Sequence, residues 1–180
     1  MKKSVVYIAF FFLIFISKAQ PATGNYKEFI LWSDSLKLSW NDFKGIPIPN
    51  SAEAAMTASS MEFSYGTKGT KVTWNVTCKF FPQLSWVKKD KKSDYIFKHE
   101  HLHFDITELY ARLFRKRLTE NVHSSNDVSK MKIISKNIMK EWSEEQNKYD
   151  KETNHSINEE QQAIWNANVQ KRLDELKAFA

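Results

Sequence analysis

The chain has 180 residues, 42% of them hydrophobic and 27% charged, with a formal net charge of +6. Its single cysteine rules out an internal disulfide, so stability must come from an apolar core and any metal it holds. Leaving out the first nineteen residues removes Lys2, Lys3 and Lys18 from the 27 basic residues, so 24 face 21 acids. A balance that mild gives no support to nucleic acid or an anionic membrane as a partner.

The chain opens with Lys2 and Lys3, an apolar run from Val5 to Ile16, and then Ser17-Lys18-Ala19. Positive start, apolar middle and small residues at the cut predict a signal peptide over residues 1–19, removed to leave Gln20. The run is too short for a membrane span, which needs about 20 apolar residues. No later segment is apolar enough, so no span remains after cleavage. The protein is expected to be exported, to the periplasm or beyond. Residues 20–180 are one domain by length.

Leu36-Lys-Leu38-Ser-Trp40 predicts a short strand, and Asn41 to Gly45 a turn out of it. Ile46-Pro47-Ile48-Pro49 is extended, because a residue before proline is pushed out of the helical region. Thr57–Tyr65 and Val72–Phe81 alternate apolar and polar around Gly66-Thr-Lys-Gly69, which predicts a hairpin ended by Pro82. Cys78 shares a face with Val72, Trp74, Val76 and Phe80 and is expected to be a buried, inert thiol. Lys88-Lys89-Asp90-Lys91-Lys92 reads as a solvated loop.

Three helices follow. Ser93 caps the first, from about Asp94 to Leu118. Asp127 caps the second, to about Asp150, with Met131, Ile134, Ile138, Trp142 and Tyr149 near one stripe. Asn158 caps the third, to about Ala178, with Glu159 and Glu160 early and Lys171 and Arg172 late to suit the helix dipole. Strands first and helices after indicate an α+β fold, a small antiparallel sheet followed by three helices.

The first helix carries His99-Glu100-His101-Leu102-His103, an H-E-x-x-H motif. Residues i and i+4 lie one above the other on a helix, so His99 and His103 can bind one zinc ion. Glu100 sits one residue round, placed to take a proton from water as a general base without being a ligand. His101 points away from the pair. A catalytic zinc takes three protein ligands, and candidates for the third cluster in Tyr149-Asp150-Lys151-Glu152-Thr153-Asn154-His155. His123, in a polar loop just past the first helix, is a poorer choice.

Several segments together resemble the bacterial family of predicted secreted zinc-dependent proteases, which is zincin-like. They are Leu38-Ser-Trp40-Asn-Asp42-Phe43-Lys-Gly45, Ala54-Ala55-Met56-Thr57, Ser85-Trp86-Val87, His99-Glu100-His101-Leu-His103-Phe104-Asp105-Ile106 and Tyr149-Asp150-Lys-Glu-Thr153-Asn-His155. Ser156 stands where that family usually has glycine. The resemblance implies a zinc site and a secreted peptidase acting on peptide or protein substrates. As a neutral imidazole, His155 is the first choice for third ligand, with Asp150 and Glu152 as alternatives. Tyr149 and Asp105 are candidates for a transition-state contact or for orienting a ligand. The reading competes with two others: a zinc-binding interaction module without catalysis, and a hydrolase of cell-wall peptides or amides.

Overall fold

The computed structural model describes residues 5, 6 and 28–180; the rest of the expected signal peptide lies outside the described residues. Among the described residues six strands come first. They are β1 (Val5–Val6), β2 (Ile30–Leu31), β3 (Ala55–Met56), β4 (Ser59–Lys68), β5 (Lys71–Phe80) and β6 (Trp86–Val87). Helices α1 (Asp94–Asn121), α2 (Val128–Glu152) and α3 (Glu159–Glu175) follow. The class is α+β, with two small antiparallel sheets ahead of three helices. Among the described residues no helix is long and apolar enough to cross a membrane.

The hairpin β4–β5 pairs from Ser59 with Phe80 to Lys68 with Lys71. The strands therefore run further into the turn than the sequence suggested. They leave Gly69-Thr70 as the connection, and Gly69 takes φ +60, where a Cβ is unwelcome. Period-2 alternation puts Met61 and Phe63 of β4 and Val76, Cys78 and Phe80 of β5 on the face that is buried. The edges are β1, which lies within the expected signal peptide, and β2, giving the order β1-β4-β5-β2; a chain cut after Ala19 would present β4 at that edge. A second, two-stranded sheet pairs β3 with β6. These two-residue strands are too short to leave an alternation in the sequence.

The strand expected over Leu36–Trp40 is absent. Trp40–Asp42 form a 3-10 turn, with a capping box in which Ser39 Oγ accepts from Asn41 N–H and Asp42 Oδ2 accepts from Ser39 N–H. Ser-x-x-Asp closes the turn locally, so the segment needs no sheet partner. Leu38 and Phe43 still reach the core, and Phe43 meets Phe80 edge-to-face at 5.3 Å. Gly45 passes so close to the 83–85 backbone that a Cβ there would lie 2.9 Å from the Ser85 carbonyl oxygen.

Helix α1 is the central element. Ser93 Oγ accepts the Ile96 N–H, as the sequence indicated. The helix packs on the hairpin on one side and on α2 and α3 on the other, so both sides of it are buried. Phe104, Ile106, Leu109 and Ala111 have no exposed surface. Each large apolar side chain removed from water in this way contributes about 1.5–3 kcal/mol. The stripe expected on α2 is real: Met131, Ile138, Trp142 and Tyr149 are buried and Ile134 is half-buried. Asn158 Oδ1 accepts from Gln161 N–H and caps α3, which ends at Glu175, short of the expected Ala178. Arg112 and Arg115 share the buried carboxylate of Glu108 and donate to the Leu173 and Phe179 carbonyls, tying the C-terminal turn to α1.

Candidate metal centre

His99 and His103 lie one turn apart on the face of α1 turned toward α2, and their Nε2 atoms are 3.2 Å apart. Helix α2 runs on past Asp150 to Glu152, so Asp150 stays on the turn above Gln146 and faces the same pair. Its Oδ1 is 3.3 Å from His99 Nε2 and 3.0 Å from His103 Nε2. The donor atoms of these three residues all lie within 4.8 Å of one another.

The other nitrogen of each ring has its own partner. His99 Nδ1 is 2.9 Å from Gln162 Oε1, and His103 Nδ1 is 2.6 Å from Gln146 Oε1. The Gln146 amide nitrogen donates to the His103 carbonyl, and the Gln162 amide nitrogen donates to Asn166 Oδ1. Both side-chain oxygens are therefore acceptors facing the rings, so each Nδ1 carries a proton and, in the neutral ring, each Nε2 has a bare lone pair. Tyr149 supports this arrangement. Its ring stacks on His99 with centroids 4.6 Å apart. Its hydroxyl is 2.6 Å from Gln162 Oε1 and 3.2 Å from the His99 carbonyl, two acceptors for one proton.

Two bare nitrogens and a carboxylate oxygen converging this closely repel one another unless a cation lies among them. In the metal-free chain a proton serves. Burial opposes a charge on His103, yet Asp150 pushes the imidazole up to about 9. Burial likewise opposes the charge of Asp150, but His103 and His99 hold its carboxyl well below the usual range. A divalent metal meets the same demand with the donors zinc prefers, two imidazole nitrogens and one carboxylate oxygen. The residues present fit a zinc ion.

Glu100 lies beside this group without joining it. It is buried, and its Oε2 has no hydrogen-bond partner. Burial raises it above the ordinary carboxylate range, against the lowering influence of His103 and His99. Thr57 Oγ1 donates to its backbone carbonyl at 2.9 Å, which links the start of the hairpin to this turn of α1. A buried carboxylate oxygen without a partner is costly, and such atoms gather where a ligand or water is handled.

The structure does not bring the other expected residues into the group. His155 lies at its rim: its side chain is 57% exposed against 21% for Asp150, and its Nδ1 is 3.9 Å from Asp150 Oδ1. The reason is the backbone. Asn154, His155 and Ser156 take φ of 48, 49 and 68, three left-handed residues in a row. This turn is held by the His155 N–H on the Asp150 carbonyl at 2.9 Å and the Asn158 N–H on the Thr153 carbonyl at 2.8 Å. It swings His155 outward and delivers the cap of α3. Ser156 occupies a position that suits glycine. Glu152 Oε2 accepts from Trp165 Nε1 instead. Asp105 is shared between Trp32 Nε1 and His101 Nδ1, on another face of α1. Tyr149 is wholly buried and backs His99. His123 is exposed in its loop.

Sequence reasoning missed Gln146 and Gln162. A signal existed: each is a polar residue in a buried stripe, Gln146 between Trp142 and Tyr149 and Gln162 three residues before Trp165. A buried amide needs partners, and on helices that pack against an H-E-x-x-H face the imidazoles are the obvious ones.

A family model described as bacterial protein of unknown function (DUF922) matches residues 42–156, a span that holds the H-E-x-x-H motif, Asp150 and His155. No curated protein and no solved structure matches the chain.

Proposed function

We propose that this chain, which belongs to the bacterial family of unknown function (DUF922), is an exported zinc metallopeptidase of zincin-like architecture. The observation that carries the reading is the convergence of three lone-pair donors, from His99, His103 and Asp150, beside Glu100, whose buried Oε2 has no hydrogen-bond partner. Export rests on the sequence of residues 1–19.

His99 Nε2, His103 Nε2 and Asp150 Oδ1 would hold the ion, three protein ligands, the number typical of catalytic rather than structural zinc sites. Zinc held there would supply Lewis acidity, polarising a scissile carbonyl and letting water give up a proton near neutral pH. Glu100 is the general base. Its Oε2 takes the proton from the attacking water as the carbon–oxygen bond forms, then gives it to the amine nitrogen as the carbon–nitrogen bond breaks. A carboxyl raised by burial is suited to both halves, since it holds the proton long enough to return it. Gln162 and Gln146 keep each ring in the tautomer that offers Nε2. Asp150 and His103 cannot serve as the base in this arrangement, because both are occupied as ligands.

The test is hydrolysis by the zinc-loaded protein of a panel of peptides, unfolded proteins and cell-wall peptides, with Glu100→Gln beside it. The variant keeps shape and hydrogen-bonding reach but accepts no proton. It should retain zinc and fold and lose at least about 10²-fold in activity. Equal cleavage by both proteins would overturn the mechanism. Zinc held by both, with no cleavage of any substrate, would favour a binding module. Cleavage confined to the cell-wall arm would move the substrate class without moving the chemistry.

A further inference from the structure

Thr107 follows His103 by four residues, so the metal-bearing face of α1 reads His99, His103, Thr107, one residue per turn. It has no exposed surface. Its hydroxyl is the meeting point of three elements. Trp142 Nε1 donates to it at 3.1 Å and the Gln146 amide nitrogen at 3.1 Å, both from α2. Ser59 Oγ of β4 lies 2.7 Å away, and the carbonyl of His103 lies 3.0 Å away.

A hydroxyl has two lone pairs and one proton. Trp142 and Gln146 are donors, and together they fill both lone pairs. The proton of Thr107 is left for Ser59 Oγ or the His103 carbonyl. The hydroxyl thus faces Gln146 purely as an acceptor. The His103 carbonyl, which can only accept, also takes a bond from the Gln146 amide nitrogen at 2.9 Å. Thr107 and that carbonyl together turn the Gln146 NH2 toward themselves and its oxygen toward His103 Nδ1. The indole N–H of Trp142, which can only donate, helps to keep the Thr107 oxygen an acceptor.

We infer that Thr107 is a positioning residue for the metal centre: together with the His103 carbonyl it holds the Gln146 amide nitrogen, and so favours the His103 tautomer with the proton on Nδ1 and the lone pair on Nε2. The inference uses the zinc reading above for its affinity arm only; the tautomer arm stands without it. His99 has a separate partner in Gln162 and should not feel the change.

The test compares Thr107→Val, which keeps the shape and removes the hydroxyl, with Thr107→Ser, which restores it. The first readout is the His103 tautomer by long-range nitrogen–proton NMR, on zinc-loaded protein and on metal-free protein at pH 10.5. The second is zinc affinity by competition with a chromophoric chelator. Wild type and Thr107→Ser should show His103 protonated at Nδ1 alone. Thr107→Val should show mixed tautomers and bind zinc about tenfold more weakly, the lower end for losing such support, with His99 unchanged. If Thr107→Val does not fold, Thr107→Ala takes its place. An unchanged His103 tautomer in the hydroxyl-free variant overturns the inference, as does a loss of affinity that serine fails to restore. A wild-type chain that binds no zinc would sink the metal reading, and the pH 10.5 spectra would still decide the role of Thr107.

Discussion

Replacing Asp150 by Asn and, separately, His155 by Ala distinguishes the two residues that compete for the place of third ligand. Asp150 Oδ1 sits 3.0–3.3 Å from the Nε2 atoms of His99 and His103, whereas His155 stands at the rim, 3.9 Å from that same oxygen and largely in solvent. Apparent zinc-binding energies of about 10–16 kcal/mol shared over four ligands put one ligand at roughly 2.5–4 kcal/mol. Asp150→Asn keeps an oxygen but not its charge, so its affinity should fall by about 10²–10³-fold. His155→Ala should change affinity by less than about threefold. Chelator competition on the purified chains measures both, with circular dichroism to confirm that each is folded. The control matters, because the asparagine variant also leaves the buried His103 without its carboxylate, a loss of about 3–5 kcal/mol in comparable buried pairs. If His155→Ala loses as much zinc affinity as Asp150→Asn, the left-handed turn rearranges on binding and the ligand set proposed here is wrong.

Zinc uptake should release protons. His103 in the metal-free protein holds its second proton up to about pH 9, and Nε2 must lose it to bind metal. Affinity should therefore rise with pH up to about 9, and calorimetry at pH 7.5 in buffers of different ionisation enthalpy should show about one proton released per ion; no release would mean that His103 is not a ligand. Cys78 is 3% exposed, and burial, with Glu108 nearby, raises its thiol well above the ordinary value. It should react with thiol reagents only as the chain opens, so labelling under native conditions at the rate of a free thiol would contradict the strand register. Gly45→Ala should cost about 1–3 kcal/mol of stability in denaturant unfolding, since its Cβ meets backbone oxygens rather than side chains that can move; a neutral result would show that the 83–85 segment yields.

The elements that were legible in the sequence are those whose signals are local and repeated. Ser93, Asn158 and the stripe from Met131 to Tyr149 mark helices because capping and a 3.6-residue period act within a few turns. The hairpin showed for the same reason, through the alternation that buries Cys78 and Phe80. Leu36–Trp40 misled because three apolar residues in alternation fit a 3-10 turn with its own capping box as well as a strand. The two candidate ligands on α1 could be read because both lie on one helix. The third depended on where α2 ends: two more helical residues keep Asp150 on the face above Gln146, and the left-handed run at 154–156 then turns His155 away. Asn154 and His155 tolerate positive φ without demanding it and Ser156 gives little warning of it, whereas a glycine at 156 would have marked the turn. Gln146, Gln162 and Thr107 were hidden for another reason. Their roles exist only between elements, and each residue alone is an ordinary polar side chain on a helix.

The most direct measurement is the metal content of protein purified without chelator, wild type beside His99→Ala/His103→Ala. The account predicts about one zinc per wild-type chain and none in the double variant, with both chains folded. Full zinc occupancy in the double variant, or a wild-type chain that takes up no divalent metal even when offered zinc, would contradict it.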